Sequence, residues 1–486
     1  MSHVNLPVHL ERGLSGASLT RQLVDELRRR ILRDELKAGL RLPSTRRFAL
    51  ELEVSRTVVS EAYSILVADG FLEGRVGSGT FVCRAPKHRP TPRRHAQSSR
   101  WLRNHPEPDI DPPIGTAPET FRVCEPDGTT FPDAAWRTCA RAAIRESLPL
   151  GYGDAAGDPD LRRSIATLLL QERGFSCSPE DVIVTTGTTQ SLDLVARAVL
   201  RAGDPVAFED PGYRLGRQIL AESGAELRPV AVDTEGLRVS ELSRGSAPLA
   251  VYVTPSHQFP TGVPLSYRRR VELLDWARQH DALLLEDDYD SEFRLDGPAL
   301  PTLASQDASG RVVYLGTFSK SLAPSLRLGF LVAPEALRTQ LLRLKLRRDH
   351  HTSWPLQRTV ARFIRCGAFG RHLRRMRRMY RSRRDRLVHE LTPLPRGAAW
   401  IGLAAGLHAT LRLPDDLPAR LVAADCSAHG IRIRTLADDS VSASPSNGLV
   451  LGYGSADEAD LARGGATLRR SLARVAAGKV SLASEP

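Results

Sequence analysis

The sequence predicts an α/β protein in which a small helical unit with a short hairpin is joined by a linker to a large domain containing a mostly parallel sheet. Three observations support this prediction. The first 83 residues contain three amphipathic helical patterns followed by a glycine-rich turn between two short apolar runs. Residues 84–113 are rich in Pro, Arg, His and Ser and have no apolar period. From residue 114 onward, apolar strand-like runs alternate with helical stretches, as in doubly wound sheets.

The composition is that of a globular chain with a basic amino-terminal part. The chain has 486 residues, 41% of them hydrophobic, and a net charge of +12. No apolar run reaches the roughly 18 residues of a membrane helix, and no secretory signal is recognisable, so we expect a cytoplasmic protein. The six cysteines have no metal-like or disulfide-like spacing, so we expect free thiols and no metal. Residues 1–100 hold 18 Lys/Arg against 10 Asp/Glu, which suggests a polyanionic partner or a solvated arginine-rich face.

The first unit, residues 15–83, is predicted to contain three helices and a hairpin. Apolar residues recur at helical spacing over 19–32, and a second helical pattern follows Pro43. The third pattern begins at Ser55, a plausible N-cap, and ends at a glycine. The run "FLEGRVGSGTFV" then indicates two strands around a tight glycine turn.

This arrangement resembles the winged helix-turn-helix, and "LPSTRRFALELEVSRTVVSEAYSILVADGFLEGRVGSGTFV" is similar to the DNA-binding domain of the GntR family. In such a domain the third helix points its amino-terminal end at the major groove, and the wing approaches the minor groove. The family often has arginine at the position of Ser60, so we expect that phosphate contact either to be weaker here or to be supplied by Arg47 or Arg75. A three-helix bundle used for protein contacts is the alternative, but the arginines at the groove-facing end favour DNA. The candidate DNA-binding residues are Arg46, Ser55, Arg56, Thr57, Gly77 and Gly79.

Residues 84–113 are predicted to form an extended, solvated linker, because proline and charge oppose packing. A role in holding DNA phosphates is the alternative. The large domain is expected over 114–475, followed by a tail at 476–486.

The large domain carries polar residues where its predicted strands end. The strands are indicated by "DVIVTTG", "DPVAFED", "LAVYVTP", "ALLLEDDYD", "RVVYLGTFS" and "RLGFLVA". Ligands of doubly wound sheets bind at the carboxyl ends of strands. The polar groups at those ends are Gly187 to Gln190, Asp210, Tyr213, Asp287 to Tyr289, Ser319 and Lys320.

Lys320 is one of only five lysines in a chain that otherwise uses arginine. An aldehyde cofactor with a phosphate tail requires an amine for a Schiff base, a carboxylate at its ring nitrogen, a stacking aromatic ring and phosphate donors. Arginine cannot serve as the amine because its guanidinium stays protonated. Lys320 is therefore the candidate amine, and a surface lysine near a strand end is the alternative. Asp287 or Asp288 is the candidate carboxylate.

The remaining cofactor contacts have candidates nearby. Tyr213 is the candidate stacking ring and Tyr289 the candidate donor to a ring oxygen, with core packing as the alternative for each. A helix that starts after Gly187 would offer its N-terminus to phosphate. The expected phosphate cup consists of Thr188, Thr189, Thr317 and Arg327.

Residues 114 to about 475 resemble a fold-type-I aminotransferase domain, which binds pyridoxal 5'-phosphate and has a smaller C-terminal α+β part. The stretches "YGDAAGDPDLR", "TPSHQFPTG", "EDDYDSEFR" and "FSKSLAPSLRLGF" are particularly similar to MocR-type regulators, in which a GntR domain is fused to such a domain. Alignment with the family motif favours Asp287 over Asp288. The resemblance also implies a transcriptional regulator that forms a domain-swapped homodimer.

Two features expected of an active aminotransferase are absent from the sequence. Val450, in "LVLGYG", stands where aminotransferases commonly have a substrate-binding arginine, and Arg432 or Arg434 is a candidate substitute. Phe259 stands where they have an asparagine, and Gln258 or His257 is a candidate substitute. These differences favour a sensor over an enzyme.

The expected signal is pyridoxal phosphate itself, as in the vitamin B6 regulators of this family, or an amine forming an aldimine with it. Genes of pyridoxal phosphate synthesis are then the candidate targets. The alternatives are a regulator responding to taurine-like or GABA-like amines and an active aminotransferase with an accessory DNA-binding head. The arginine-rich run at 371–387 predicts an amphipathic helix with a solvated basic side, the alternative being a face that meets the linker or DNA.

Overall fold

The computed structural model describes residues 8, 10, 18–83, 120–443 and 445–480. The chain divides into two units, Met1–Pro112 and Pro113–Pro486. The predicted linker lies outside the described residues. Among the helices of the described ranges, none is long and apolar enough to cross a membrane.

The first unit is built from three helices and a two-stranded hairpin. Its elements are α1 (Leu19–Leu32), α2 (Thr45–Glu51), α3 (Arg56–Ala68), β1 (Leu72–Arg75) and β2 (Gly79–Val82). Ser44 and Ser55 cap α2 and α3, because each hydroxyl accepts a hydrogen bond from a main-chain N–H in the first helical turn. The helices pack around a core that includes Leu27 and Phe48. Leu32, which the helical pattern places on the buried face, is 56% exposed because it ends α1 and its neighbour Ile31 occupies the core.

The eight-stranded sheet of the second unit positions most of the candidate site. Its strands are β3 (Val182–Thr185), β4 (Pro205–Asp210), β5 (Glu226–Asp233), β6 (Gly236–Leu237), β7 (Ala250–Val253), β8 (Leu283–Asp288), β9 (Val312–Thr317) and β10 (Gly329–Val332). Their spatial order is β3-β10-β9-β8-β7-β4-β5-β6. The central strands pair in parallel, whereas β10 is antiparallel to both of its neighbours. The carboxyl ends of β3, β4, β7, β8 and β9 therefore lie along one edge, and β10 begins at that edge.

Helices complete the second unit. They are α4 (Asp133–Ile144), α5 (Pro159–Arg173), α6 (Thr188–Val199), α7 (Arg214–Glu222), α8 (Tyr267–Gln279), α9 (Leu303–Gln306), α10 (Glu335–Arg348), α11 (Trp354–Arg365), α12 (Ala368–Glu390), α13 (Ala419–Ala428) and α14 (Glu458–Ala476). Residues of α6, α7 and α10 share one apolar cluster with the sheet, and α8 shares another. Because the sheet packs against helices through both clusters, strands β7 and β9 are buried along their whole length.

The carboxyl-terminal part contains a second, antiparallel sheet of order β11-β12-β14-β13. Its strands are β11 (Ala399–Ile401), β12 (His408–Arg412), β13 (Arg434–Thr435) and β14 (Gly448–Gly452). It packs against α13, which in turn packs against α14, so the smaller α+β part is confirmed. The first unit has the predicted architecture of a winged helix-turn-helix, and the second has the predicted mostly parallel α/β sheet with a smaller α+β part.

Candidate functional site

A cavity of about 160 Å³ opens at the carboxyl edge of the large sheet. Its wall includes all eight residues that the sequence suggests for the cofactor. They are Thr188, Thr189, Tyr213, Asp287, Tyr289, Thr317, Lys320 and Arg327. These residues come from four different strand ends and one connection, so the fold brings together groups that are up to 139 positions apart in the chain.

Asp287 is buried at the end of β8 and has one oxygen in use. Its Oδ2 accepts a 2.5 Å hydrogen bond from the hydroxyl of Tyr252, and within the described residues its buried Oδ1 has no partner. Burial raises the pKa of the Asp287 carboxyl to about 7. A buried oxygen without a partner is costly unless a ligand satisfies it. The cavity wall thus offers a carboxyl oxygen suited to a protonated ring nitrogen.

Asp288, the alternative to Asp287, does not line the cavity. Its Oδ2 accepts hydrogen bonds from Arg173 Nε at 3.0 Å and from the hydroxyl of Tyr314 at 2.6 Å. This ion pair is almost completely buried, with side-chain exposures of 5% for Arg173 and 1% for Asp288. The buried ion pair between Asp288 and Arg173 therefore links β8 to α5.

The amino-terminal end of α6 forms one end of the cavity. Gly187, its N-cap, has φ +124°, and a Cβ there would lie 3.3 Å from an Arg327 guanidinium nitrogen. A Cβ on Gly329 would come within 2.8 Å of the Cα of Gly187, so the close approach of the two chain segments requires glycine. The N–H groups in the first turn of α6, which an α-helix leaves without intrahelical partners, and the Arg327 cation thus converge, as an anion site requires.

Lys320 and Arg327 lie on the connection between β9 and β10. The connection starts from Thr317, whose Oγ1 donates to Ser319 Oγ at 3.0 Å and accepts from the Ser319 N–H at 3.1 Å. Arg327 has φ +48°, a left-handed conformation that costs energy for a residue other than glycine. Such strain is common where a loop holds a ligand-binding side chain in place.

Aromatic rings form the opposite wall. Phe259 lies edge-on to Tyr213 and to Tyr289, with centroid distances of 5.7 and 6.2 Å. The Tyr289 hydroxyl lies 3.1 Å from His257 Nδ1. Burial raises the pKa of the Tyr213 hydroxyl above its ordinary value, so this group stays protonated at neutral pH.

Neither candidate substitute for the missing asparagine lines the cavity. Gln258 is fully engaged: its Nε2 donates to Glu209 and to two main-chain carbonyls, and its Oε1 accepts from Thr261. His257 instead lies behind Tyr289, with its Nδ1 3.0 Å from Asp290 Oδ2. Phe259 thus gives the cavity an apolar wall at the asparagine position.

Val450 is fully buried in β14, opposite Arg434 of β13. Arg434 donates two hydrogen bonds to the buried carboxylate of Asp439, and its guanidinium lies 6.0 Å from the ring centroid of Phe259. Arg432, by contrast, is exposed. Of the two candidate substitutes, Arg434 is therefore the one beside the cavity wall.

Sequence reasoning missed three polar residues of the wall, Tyr252, Thr254 and Cys124. Tyr252 and Thr254 alternate at the end of β7, a strand whose apolar sequence predicts only core positions. Thr254 in turn donates a 2.5 Å hydrogen bond to Glu209, whose pKa burial raises to about 7. The alternation of Tyr and Thr with valines in "LAVYVTP" is a signal that could have found them, whereas no local pattern marks Cys124.

The wall fits pyridoxal phosphate in its chemistry. An amine, an unpartnered buried carboxyl oxygen and a cationic helix end border one cavity, as the reactive carbon, ring nitrogen and phosphate of that group require. Bound pyridoxal phosphate would supply a carbonyl carbon that reacts with amines. Lys320, Asp287 and Arg327 would hold it.

In the first unit, the candidate DNA-binding residues cluster at exposed positions. Arg46 lies in the first turn of α2, and Ser55, Arg56 and Thr57 start α3. Among the described residues, Arg46 and Arg56 form no ion pair. The two arginines considered as substitutes for a family arginine at position 60 are both paired, Arg47 with Glu51 and Arg75 with Glu73.

The hairpin carries the two glycines of the predicted wing. Gly77 and Gly79 have φ of +73° and +111°, a region that favours glycine. A Cβ on Gly79 would lie 2.9 Å from Arg41 Nε, so the loop also packs closely on an arginine. Both glycines are exposed, and the backbone at the tip is accessible to a ligand.

The arginine-rich run forms most of α12, as predicted, with Leu373, Met376, Tyr380 and Leu387 buried. Several arginines of α12 form ion pairs with other parts of the second unit. Arg377, Arg383 and Arg384 form ion pairs with Glu172, Asp127 and Asp296. Much of the positive charge is therefore used within the domain.

Two family models match the chain. The model of bacterial regulatory proteins of the gntR family matches residues 19–82, and that of aminotransferases of class I and II matches residues 123–439. The described site residues of each unit lie within these matches.

Relatives resemble the chain over nearly its whole length. The probable rhizopine catabolism regulatory protein MocR of Rhizobium meliloti is 37% identical, over 93% of each chain. The HTH-type pyridoxine biosynthesis transcriptional regulator PdxR of Corynebacterium glutamicum is 34% identical, over 91% of this chain and 93% of that protein. Among solved structures, the kynurenine aminotransferase of Pyrococcus horikoshii in complex with PMP is 27% identical, with a TM-score of 0.69, and covers 74% of this chain and 92% of its own.

Proposed function

Because the chain belongs to the MocR-type subfamily of GntR regulators, we propose that pyridoxal 5'-phosphate is the signal to which it responds. The protein is a pyridoxal phosphate-binding transcriptional regulator, with a DNA-binding domain of the GntR type and an aminotransferase-like domain. We further propose a domain-swapped homodimer, in which the first unit of each chain reaches the large unit of its partner. Cofactor binding would change the arrangement of the paired DNA-binding units, and DNA would change cofactor affinity by the same factor.

The observation that carries the proposal is the contrast between two sets of residues in the large unit. Every residue suggested for the cofactor lines one cavity. At the two positions where aminotransferases commonly have polar substrate or cofactor contacts, this chain has the apolar side chains of Val450 and Phe259. A site with the cofactor contacts but without these polar groups is better suited to binding than to turnover.

We assign the residue roles as follows from their positions. Lys320 is the amine that attaches the cofactor, and the Asp287 carboxylate accepts a hydrogen bond from the protonated ring nitrogen. Tyr213 stacks on the ring and Tyr289 donates to the ring oxygen. The phosphate is held by Thr188, Thr189, Thr317 and Arg327.

The likeness to a pyridoxine biosynthesis regulator supports genes of pyridoxal phosphate synthesis as the targets. The likeness to a rhizopine catabolism regulator supports instead control of a catabolic pathway, and the second candidate effector is an amino compound that reacts with the bound cofactor. Arg434 favours this second candidate, because Asp439 fixes its guanidinium beside Phe259, where an acidic group of an amine could meet it.

The test is binding of the purified protein to DNA from upstream of its own gene, with and without pyridoxal phosphate. If pyridoxal phosphate alone changes the affinity or the footprint, and Lys320→Ala weakens that response, the proposal holds. If DNA binding changes only after an amino compound is added, the signal is the amine. Steady turnover of an amino acid with a keto acid would identify an active aminotransferase and overturn the sensor function.

A further inference from the structure

Three ligand-type side chains meet behind the aromatic wall of the cavity. They are Cys124, Asp290 and His408, and one ligand atom from each lies within 4.8 Å of the others. All three residues are buried, with exposures of 8%, 1% and 0%. Cys124 precedes α4, Asp290 follows β8 and His408 begins β12, so only the folded domain assembles the cluster.

From this cluster we infer a site for a zinc ion in the wall of the cofactor cavity. Thiolate, imidazole and carboxylate are the ligand types that zinc takes in proteins, and the thiolate disfavours magnesium and calcium. Three protein ligands leave a fourth position of a tetrahedral ion open. Of the three residues only Cys124 also lines the cavity, so the cluster adjoins the space into which Lys320 projects.

The hydrogen bonds of His408 leave the correct nitrogen available. Its Nε2 lies 3.0 Å from the carbonyl oxygen of Pro260, which can only accept, so Nε2 carries the proton. In the neutral ring Nδ1 then has a lone pair, which accepts a hydrogen bond from the Cys124 thiol at 3.4 Å and could bind a metal once the thiol is deprotonated. Zinc bonds of about 2.3 Å to sulfur and about 2.0 Å to nitrogen place such atoms roughly 3.5 Å apart in a tetrahedron. This pair is therefore already at ligand spacing.

Asp290 has an oxygen in need of a partner. Its Oδ2 is bound by His257 Nδ1 at 3.0 Å, whereas within the described residues its buried Oδ1 has no hydrogen-bond partner. A buried carboxylate oxygen without a partner destabilises the folded state, and a bound cation would compensate for its lost hydration most strongly. The hydrogen bond of His408 Nε2 to the Pro260 carbonyl is also the outer contact that metal-ligating histidines commonly make. All three ligand atoms lie within 4.8 Å of one another, so any closure needed to reach tetrahedral spacing is at most about 1.5 Å.

Two features of the backbone hold the side chains of the cluster close together. Cys124 has φ +57°, a strained conformation for a residue other than glycine. At Gly406 a Cβ would lie 2.1 Å from His257 Cε1 and 2.7 Å from Asp290 Oδ2, so the absence of a side chain lets these two residues meet. This proposal does not depend on the nature of the regulatory signal.

The experiment is zinc binding by the full-length protein, purified under reducing conditions and stripped with a chelator. Competition with a chromophoric chelator gives stoichiometry and affinity, and zinc K-edge absorption identifies the ligands with or without cofactor. We expect one tight ion per chain with one sulfur at about 2.3 Å. Cys124→Ser should remove the sulfur and weaken binding at least about tenfold, and Asp290→Asn should weaken it similarly. The matched control Cys426→Ser removes a buried thiol of α13 and should change neither measurement.

Absence of a tight ion, an ion without a sulfur ligand, or unchanged binding in Cys124→Ser would overturn the site. Far-ultraviolet circular dichroism of each variant establishes that it is folded. If Cys124→Ser fails to fold, His408→Gln is measured in its place, with the expectation that one nitrogen ligand is lost and that affinity falls at least about tenfold.

Discussion

The hydroxyl of Tyr252, on β7, donates a 2.5 Å hydrogen bond to Oδ2 of Asp287, on the adjacent parallel strand β8. One strand thus presents the carboxylate and the other fixes its orientation, while among the described residues the buried Oδ1 has no hydrogen-bond partner. A second pair of the same kind lies one strand further on, where the Tyr314 hydroxyl donates to Asp288 at 2.6 Å. The two pairs differ in that only the first borders the cavity.

Tyr252→Phe should weaken pyridoxal phosphate binding about three- to tenfold, because the loss of one hydrogen bond, worth about 1 kcal/mol, frees the Asp287 carboxylate to turn. Equilibrium dialysis against the cofactor measures this effect. Tyr314→Phe, the matched control, removes the corresponding bond to Asp288 and should leave cofactor affinity unchanged. Equal losses in the two variants would argue against an orienting role of Tyr252.

Asp287→Asn and Asp288→Asn should separate binding from stability. Asp287→Asn should reduce cofactor affinity at least about tenfold, since an amide cannot neutralise a protonated ring nitrogen. Asp288→Asn removes the partner of buried Arg173 and should cost about 3–5 kcal/mol in the free energy of unfolding, with affinity retained. Urea unfolding and cofactor titration of both variants test this, and the reverse pattern would reassign the ring partner to Asp288.

The stability of the cofactor-free protein should fall as pH rises from about 4 to about 7, in part through Asp287. Burial raises the pKa of this carboxyl from 3.8 to about 7, so across this window the folded chain holds a proton that the unfolded chain has released. Asp287→Asn should therefore flatten the decline in the free energy of unfolding. Tryptophan fluorescence during urea unfolding at pH 5 and pH 8 measures it.

Asp233→Asn is the control for that pH experiment. Hydrogen bonds from Arg269 lower the pKa of Asp233 to about 2, so its stabilising effect is present above about pH 4 and is lost only as pH falls toward 2. Its substitution should lower stability equally at pH 5 and pH 8. An unchanged slope in Asp287→Asn would show that the other buried carboxyl groups produce the pH dependence.

Arg327→Gln should weaken binding of pyridoxal phosphate at least about tenfold and leave binding of phosphate-free pyridoxal nearly unchanged. The guanidinium lies beside the amino-terminal end of α6, where it would contact only the phosphate. Arg338→Gln, which removes a guanidinium paired with Asp181, is the matched control and should affect neither ligand. Isothermal titration with both ligands distinguishes the effects, and parallel losses for pyridoxal would place Arg327 elsewhere.

Arg56→Ala should lower the affinity for DNA from upstream of the gene about tenfold at moderate salt. Arg56 starts α3, is exposed and has no ion pair among the described residues, so it is available to phosphate or a base edge. If the contact is to phosphate, the slope of log affinity against log salt should fall by about 1. Arg197→Ala makes the same charge change on α6 and should leave both quantities unchanged.

The elements that sequence predicts best are those with an unambiguous local pattern. Helix α1 has the predicted bounds, and all six predicted strand runs are strands. Strand β5 has no such pattern, because "ELRPVAVD" contains proline and charge and is only partly buried near the edge of the sheet. The four short strands of the carboxyl-terminal sheet also lack distinct patterns, and the sequence predicts only their α+β character.

The cofactor residues were predictable because each follows a recognisable strand end or lies in a family motif. The partners of those residues were not. Tyr252 belongs to an apolar strand, and its meeting with Asp287 depends on strand order, which has no local signature. Cys124, Asp290 and His408 are separated from one another by more than one hundred positions, so cysteine spacing, on which the expectation of no metal site rests, cannot reveal a cluster that only folding assembles.

Because β10 runs antiparallel to β9, the connection between the two strands is short, and it carries both Lys320 and Arg327. A parallel neighbour of β9 would require a crossover helix, whereas the reversal lets the chain turn back within the twelve residues 317–328. Both ends of this connection are fixed in the sheet. An insertion in it would displace both Lys320 and Arg327, so we expect its length to be far less tolerant of change than that of the exposed turn at 243–246.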